Sequence, residues 1–392
     1  MRKKILFLIH TLGAGGAEKS LLTLIKNMDK QKYDITVMTI VDYGIYTDEV
    51  KKLNGIKYRY MFKSFFNKKI QNENNKLRHV YKKIMDIIWK CYKLYIKYFY
   101  NERISKHMIK EKYDIEVAYL EGMSAKIISK SFNKKSKKIC WIHTDISNLA
   151  RASIAFKNID DEKNCYSKFN KIVCVSQDIK ESFMKKLEIF DTVTIRINPI
   201  DTNDIMGLSK IKVKSLAKPD NPLICAVGRL SEEKGFDRLL KCHKRLLENG
   251  INNTIWIIGE GKERKNLEEY ISSNNLNESV KLLGYKSNPY KYMNMCDVFV
   301  SSSYVEGLST VLCEAVVLKK PIVSTLCPGV IEILGDGNRA GIVTENTEND
   351  LYNGLYEMLT NKDSYNQCKK NVEKRSNLFV LSKTIRQIEK LF

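Results

Sequence analysis

The sequence predicts an α/β protein of two Rossmann-like, doubly wound domains facing a central ligand cleft. Three observations carry this. The chain has 392 residues, more than one ordinary core takes and a fit for two domains of roughly 150–200 residues each. Short apolar runs alternate with helix-period segments, the pattern of a parallel sheet covered on both faces. The alternation breaks once, around Asn198-Pro199 and the loose stretch 207–222, and then restarts. We therefore expect a domain over 1–205, a second over 206–375, and a closing helix over 376–392 that could cross back to the first.

The elements follow in order. Residues 4–9 form the first strand. The basic residues ahead of it imitate a signal peptide, but the apolar run stops at His10, short of the roughly 7–15 residues of a signal core. Residues 11–16 make a glycine-rich turn, and over 17–28 Leu21, Leu22, Leu24, Ile25 and Met28 recur at helical spacing. Strands are expected at 34–41, 115–119, 138–142 and 171–175. In the second half strands fall at 223–227, 254–258, 280–283, 298–301 and 321–324, with helices at 235–249, 264–273, 309–319 and 376–391. No apolar run approaches the roughly 18–20 residues that span a bilayer.

Composition narrows the partners. Apolar residues make up 43% and charged residues 29%, a globular mixture. Lys and Arg number 67 against 45 Asp and Glu, a net charge of +22. That excludes an acidic solvating protein and asks for a polyanion: nucleic acid, an anionic membrane or phosphorylated ligands. The ten cysteines never form C-x-x-C and have no histidine at metal spacing, so they read as buried free thiols in a reducing cytosol.

Three motifs carry chemistry. Thr11-Leu12-Gly13-Ala14-Gly15-Gly16-Ala17-Glu18 takes a strand through glycines straight into a helix, whose free N–H groups favour an anion. The spacing is not G-x-G-x-x-G and no acidic residue is clearly placed at the end of the second strand for a ribose. This weighs against a nicotinamide site and leaves a plain tight turn or a site approached by phosphate or sugar. Gly228-Arg229-Leu230-Ser231-Glu232-Glu233-Lys234-Gly235 repeats the strand-to-helix layout. Arg229 offers a planar fork and Lys234 a point charge, suited to a diphosphate; two solvated cations are the plain alternative. In Ser301-Ser302-Ser303-Tyr304-Val305-Glu306-Gly307-Leu308-Ser309-Thr310 a loop leads into a helix that carries Glu314. Two carboxylates so spaced can accept hydrogen bonds from hydroxyls at separate points along one ligand. The N–H groups of Leu308, Ser309 and Thr310 stand ready for phosphate. Glu314 lies among Val311, Leu312, Ala315 and Val316, where an unpaired carboxylate is costly.

Taken in order, Gly228-Arg229…Lys234-Gly235, Gly259-Glu260-Gly261…Arg264…Leu267-Glu268, Leu283-Gly284-Tyr285 and Glu306-Gly307…Glu314-Ala315 resemble the donor domain of family 4 retaining glycosyltransferases with the GT-B fold, the group 1 type of bacterial surface-polysaccharide synthesis. Gly15-Gly16-Ala17-Glu18, Trp141-Ile142-His143-Thr144-Asp145 and Asn198-Pro199-Ile200-Asp201 match that family's N-terminal landmarks. The resemblance implies that Arg229 and Lys234 neutralise the donor diphosphate and that Glu314 holds the ribose hydroxyls. It implies that Glu306 touches the donor sugar, with Gly307–Ser309 near sugar and phosphate, and that the stretch at Gly284 and Tyr285 pairs with the base. Gly16 would approach the phosphates, with Gly15 in the acceptor or sugar region, and His143 would meet the transferred sugar at the catalytic centre. His143 also reads as an imidazole satisfied by backbone, and Asp145 as either an acceptor contact or a helix cap. Two cations and a helix start can stabilise the departing diphosphate without a metal or other cofactor, and no Asp-x-Asp or His-carboxylate cluster is evident.

Residues 51–112 hold 18 Lys and Arg against four Asp and Glu. Within this basic aromatic insertion (near 55–112) Ile84, Ile88, Cys91, Tyr92, Tyr95 and Phe99 recur at helical spacing, with Lys83, Lys90, Lys93 and Lys97 opposite. Tyr58, Tyr60, Phe62, Phe65 and Phe66 add aromatics expected to be exposed. A basic helix rich in Tyr and Trp suits an anionic membrane surface, with Lys83, Trp89, Lys90, Tyr92, Lys93 and Lys97 as its contacts; packing on the domain with solvated lysines is the alternative. Single-stranded nucleic acid also takes such patches but would leave the donor constellation unexplained, so no nucleic acid is expected.

The expected function is transfer of a hexose or N-acetylhexosamine from a nucleotide sugar, UDP-linked, to a lipid-linked saccharide for capsular or exopolysaccharide. The expected place is the cytoplasmic face of the cell membrane, as a peripheral protein. Alternatives are another GT-B nucleotide-sugar enzyme (epimerase or phosphorylase) or a non-enzymatic basic membrane adaptor.

Overall fold

The computed structural model describes residues 2–63, 75–147, 153–213, 216–336 and 340–392, with the backbone alone at 75–83, 85 and 86. It divides into two compact units, Met1–Pro199 with Ser382–Phe392, and Ile200–Leu381.

The first unit is a parallel sheet in the order β3-β2-β1-β4-β5-β6-β7. Its strands are β1 Lys3–Ile9, β2 Tyr33–Val41, β3 Ile56–Phe62, β4 Ile115–Ala118, β5 Lys137–Ile142, β6 Lys171–Cys174 and β7 Val193–Ile195. β1 lies between β2 and β4, with Ile5 opposite Ile35 and Ile115, and is wholly buried from Ile5 to Ile9. Such a near-continuous apolar run is what a strand covered on both faces requires. The covering helices are α1 Gly16–Asn27, α2 Thr47–Lys51, α3 Asn75–Tyr98, α4 Glu102–Ile109, α5 Met123–Ser129, α6 Ile159–Tyr166 and α7 Gln177–Leu187. α1 buries Leu21, Leu22, Leu24 and Ile25, the stripe its spacing predicts.

The second unit repeats the plan in the order β10-β9-β8-β11-β12-β13. Its strands are β8 Leu223–Val227, β9 Thr254–Ile258, β10 Val280–Gly284, β11 Val298–Ser301, β12 Ile322–Thr325 and β13 Ile342–Thr344. Its helices are α8 Thr202–Ser209, α9 Phe236–Glu248, α10 Arg264–Ser273, α11 Tyr290–Met293, α12 Thr310–Val317, α13 Val330–Leu334, α14 Glu348–Thr360, α15 Lys362–Arg375 and α16 Leu381–Glu389, which leaves the unit. α9 packs Leu239, Leu240 and Leu246 onto Ile224, Ile255 and Ile257 of the sheet.

Several expectations are corrected. The division lies at Pro199/Ile200, not 205/206, because α8 ties into the second unit: Asn288 Nδ2 donates to Leu208 O at 2.9 Å and Asn294 Nδ2 to Ser209 O at 3.3 Å. The closing segment is not one helix. A 3-10 turn at Ser376–Phe379 and an extended Val380 precede α16. Its tail groups with the first unit: the Phe392 ring meets Phe7 edge-on at 5.8 Å and Tyr33 at 6.0 Å. The basic segment is not an insertion throughout, since its first residues are β3, hydrogen-bonded to β2. Nine of the ten free cysteines are buried and Cys91 is exposed.

Candidate functional site

In the second unit the candidate site gathers at the carboxyl ends of neighbouring strands β8 and β11. Gly235 opens α9 with φ +59°, and a Cβ there would stand 2.1 Å from Ser302 O, so only glycine lets these two loops touch. They are stitched together from several sides. Tyr304 N donates to Glu233 O at 2.8 Å and Ser302 Oγ to Lys234 O at 2.9 Å. Arg238, 1% exposed, donates through Nε to Ser302 O at 2.8 Å and through Nη2 to Ser303 O at 2.7 Å. Its guanidinium also lies 3.8 Å over the Tyr304 ring. Burial lowers the Arg238 pKa.

This framework brings Lys234, Ser303 and Glu306 together. Lys234 Nζ is ion-paired with Glu306 Oε1, which also accepts from Ser303 Oγ at 2.7 Å. Arg229, at the tip of β8, is exposed and makes no ion pair among the described residues. Gly307 and Leu308 lead to Ser309, the N-cap of α12. The Ser309 hydroxyl caps nothing and, though buried, has no hydrogen-bond partner. An N-cap serine ordinarily spends its oxygen on the helix start, so this one is left for something else. Thr310 begins α12, and further along it Glu314, 4% exposed, accepts from Tyr290 OH at 3.1 Å.

Gly284 ends β10 with φ +73° beside the Glu260–Arg264 ion pair, and Tyr285 next to it is 57% exposed. Sequence reasoning missed Arg238 and Tyr290. For Arg238 a signal existed: it falls on the stripe that buries Leu239, Cys242 and Leu246, where a charge demands a reason.

In the first unit His143 follows β5. Its backbone N–H donates to Glu121 Oε2 at 2.9 Å, and Thr144 Oγ1 to Glu121 Oε1 at 2.6 Å. Burial of the ring lowers its pKa to about 4, against the raising effect of its bond to the Tyr119 backbone, while Nε2 has no partner. The imidazole is thus neutral at pH 7, with one nitrogen still able to accept. Tyr119 stacks on Trp141 at 5.2 Å and reaches Ser20 of α1 at 2.9 Å. Gly15 and Gly16 open α1, and the carboxylate of Glu18 packs against Gly15, at the helix start where the sequence expects an anion. Asp145 accepts from Ser147 N at 2.9 Å and from Ser182 Oγ, which binds its loop to α7.

The basic helix differs from expectation. Tyr92 turns inward and stacks on Phe62 at 4.2 Å, with Trp89 edge-on to it at 6.4 Å. Tyr58 is likewise held, bonded to Thr39 at 2.8 Å and donating to Asp42 at 2.8 Å. Lys93 lies over Trp89 and Lys97 over Tyr98, and Lys90 is exposed. The side chain of Lys83, and Phe65 and Phe66, lie outside the described residues. Among the described residues no helix is long and apolar enough to cross a membrane.

Residues 209–375 match the family Glycosyl transferases group 1. An uncharacterized glycosyltransferase of Methanocaldococcus jannaschii is 27% identical over 327 residues, 78% of each chain. The N-acetylgalactosamine-N,N'-diacetylbacillosaminyl-diphospho-undecaprenol 4-alpha-N-acetylgalactosaminyltransferase of Campylobacter jejuni is 32% identical over 177 residues, 45% of this chain and 47% of that one. Among solved structures, Anabaena HepE in complex with UDP superposes with a TM-score of 0.74 at 19% identity, covering 99% of this chain and 98% of that one.

Proposed function

As residues 209–375 match the glycosyl transferases group 1 and the chain has the GT-B fold, we propose that it is a retaining enzyme moving a hexose or N-acetylhexosamine from a UDP-sugar to a lipid-linked saccharide in surface-polysaccharide synthesis. The observation that carries the donor half is the Lys234–Glu306–Ser303 cluster, one loop away from the partnerless Ser309 hydroxyl. Without donor, Lys234 and Glu306 satisfy each other. An arriving diphosphate gives Lys234 and Arg229 a stronger anion, and Glu306 is released to accept a sugar hydroxyl. Ser309 and the amides opening α12 take a phosphate oxygen, Glu314 the ribose, and Tyr285 faces the base. The acceptor half draws on the Campylobacter relative, whose name specifies a diphospho-undecaprenol-linked saccharide. We place acceptor binding in the first unit, and that unit on the inner face of an anionic membrane.

In the reaction the bond between the anomeric carbon and the diphosphate oxygen breaks as the acceptor oxygen bonds to the same face. The acceptor proton passes to the departing phosphate. Arg229, Lys234 and the α12 amides stabilise the charge that develops there, a task that needs no metal. His143, neutral, accepts a hydrogen bond from the transferred sugar through Nε2.

The test is a panel of UDP-, GDP- and ADP-sugars read by thermal stabilisation and by slow hydrolysis, with and without EDTA. A UDP-sugar should stabilise and be consumed equally in both, and NMR should find the donor's anomeric configuration kept in the product. Arg229→Ala and Lys234→Ala should each lower turnover about 10²-fold. A folded protein that responds to no donor would sink the reading.

A further inference from the structure

We propose that the outward seam of α3, formed by Ile84, Ile87, Cys91, Leu94 and Tyr98, is the surface through which the first unit seats on an anionic bilayer. The inference rests on the reading above that the acceptor is lipid-linked. The five positions are spaced 3, 4, 3 and 4 apart, which aligns them on one face of a helix. Ile84 is 45%, Ile87 60%, Leu94 53% and Tyr98 52% exposed, and Cys91 is exposed as well. The fold does not need this face. α3 already buries a different one, where Ile96 is 1% exposed and Tyr92 stacks on Phe62. Scattered surface apolar residues need no explanation, but a continuous line of large ones marks an interaction surface.

Charge selects the occupant. From Ile84 to Tyr98 the sequence holds Lys90, Lys93 and Lys97 against one acid, Asp86. The Tyr98 ring lies beneath both Lys97, at 5.5 Å, and Lys157, at 5.7 Å. A second copy laid along the seam would bring together three lysines and a single acid, Asp86, from each helix, a like-charge excess, whereas paired helices choose partners through opposite charges flanking the seam. Anionic headgroups meet every one of these lysines favourably. Their aliphatic stems can lie along the apolar line while the ammonium groups reach the phosphates, and tyrosine suits the boundary itself. α3 would therefore lie in the plane of the interface.

The test is co-sedimentation of the full chain with vesicles of phosphatidylcholine alone or with 30 mole per cent phosphatidylglycerol (roughly the charge of a bacterial leaflet), at low and high salt. The wild type should bind the anionic vesicles at least about tenfold more tightly, less so at high salt. Ile87→Asp with Leu94→Asp should lose at least about tenfold, and Lys90→Glu with Lys97→Glu should remove the salt-sensitive part. Equal binding by wild type and the Asp pair would overturn the seam. So would absent wild-type binding, or a wild-type dimer in sedimentation velocity that the Asp pair abolishes. UDP-induced thermal stabilisation, followed on the same samples, reports an intact fold. If it persists while vesicle binding ignores the substitutions, the seam alone is wrong. If seam-dependent binding is found but no donor binds, glycosyl transfer is wrong and the seam stands.

Discussion

Arg238 touches nothing assigned to the donor, yet it fixes what does. Its donors are spent on the carbonyls of Ser302 and Ser303 and its plane on Tyr304, three residues that immediately precede the turn carrying Glu306. It is a positioning residue. Arg238→Met should leave the Ser302 carbonyl short of its partner, while Ser303 O keeps Thr325 Oγ1 at 2.7 Å, and cost about 1–3 kcal/mol, measured by urea denaturation. It should also lower kcat more than it raises KM for the donor; an unchanged kcat would show that the loop holds its shape without it. The residues with a role in the proposed transfer were legible because loop glycines and paired charges advertise a ligand. Tyr290 was not, because a lone Tyr reads as core, and Arg238 was passed over although it lies on the buried stripe of its helix.

Among the elements, the central strands of both sheets were legible to within a residue or two. Burial on both faces turns them into uninterrupted apolar runs. Of the four edge strands β10 was legible at 280–283, whereas β3, β7 and β13 escaped, each too short or too polar to stand out. α3 was legible as a helix but not in its orientation, because it carries two apolar stripes and periodicity alone cannot say which one the fold consumes. The closing helix hid its break at Val380, which packing rather than propensity imposes. Its last residue completes a cluster with Phe7 and Tyr33. Phe392→Ala should therefore cost about 3 kcal/mol, seen as a lower urea midpoint of the whole protein. A shift within experimental error would mean the tail is dispensable.

Among the described residues three histidines are held neutral by burial. His10 and His143 lie in the first unit and His243 in the second, each with its pKa lowered to about 4. In the unfolded chain each takes a proton near 6.5. Between those two values the unfolded state binds more protons, so stability present at pH 7 drains as pH falls from 6.5 toward 4, by up to about 3 kcal/mol per histidine. Urea midpoints should accordingly drop between pH 7 and pH 5. A flat profile over that range would show that these imidazoles open to water without cost.

The return of Ser382–Phe392 to the first unit also sets a timetable. On the ribosome the sheet from β1 to β7 is synthesised well before the segment that closes over Phe7 and Tyr33. The intervening 200–381 take roughly ten to forty seconds to make at cellular elongation rates. During that interval the first unit carries an uncovered aromatic patch, a target for any chaperone that waits at the exit tunnel. Its maturation is therefore bound to translation of codons 382–392.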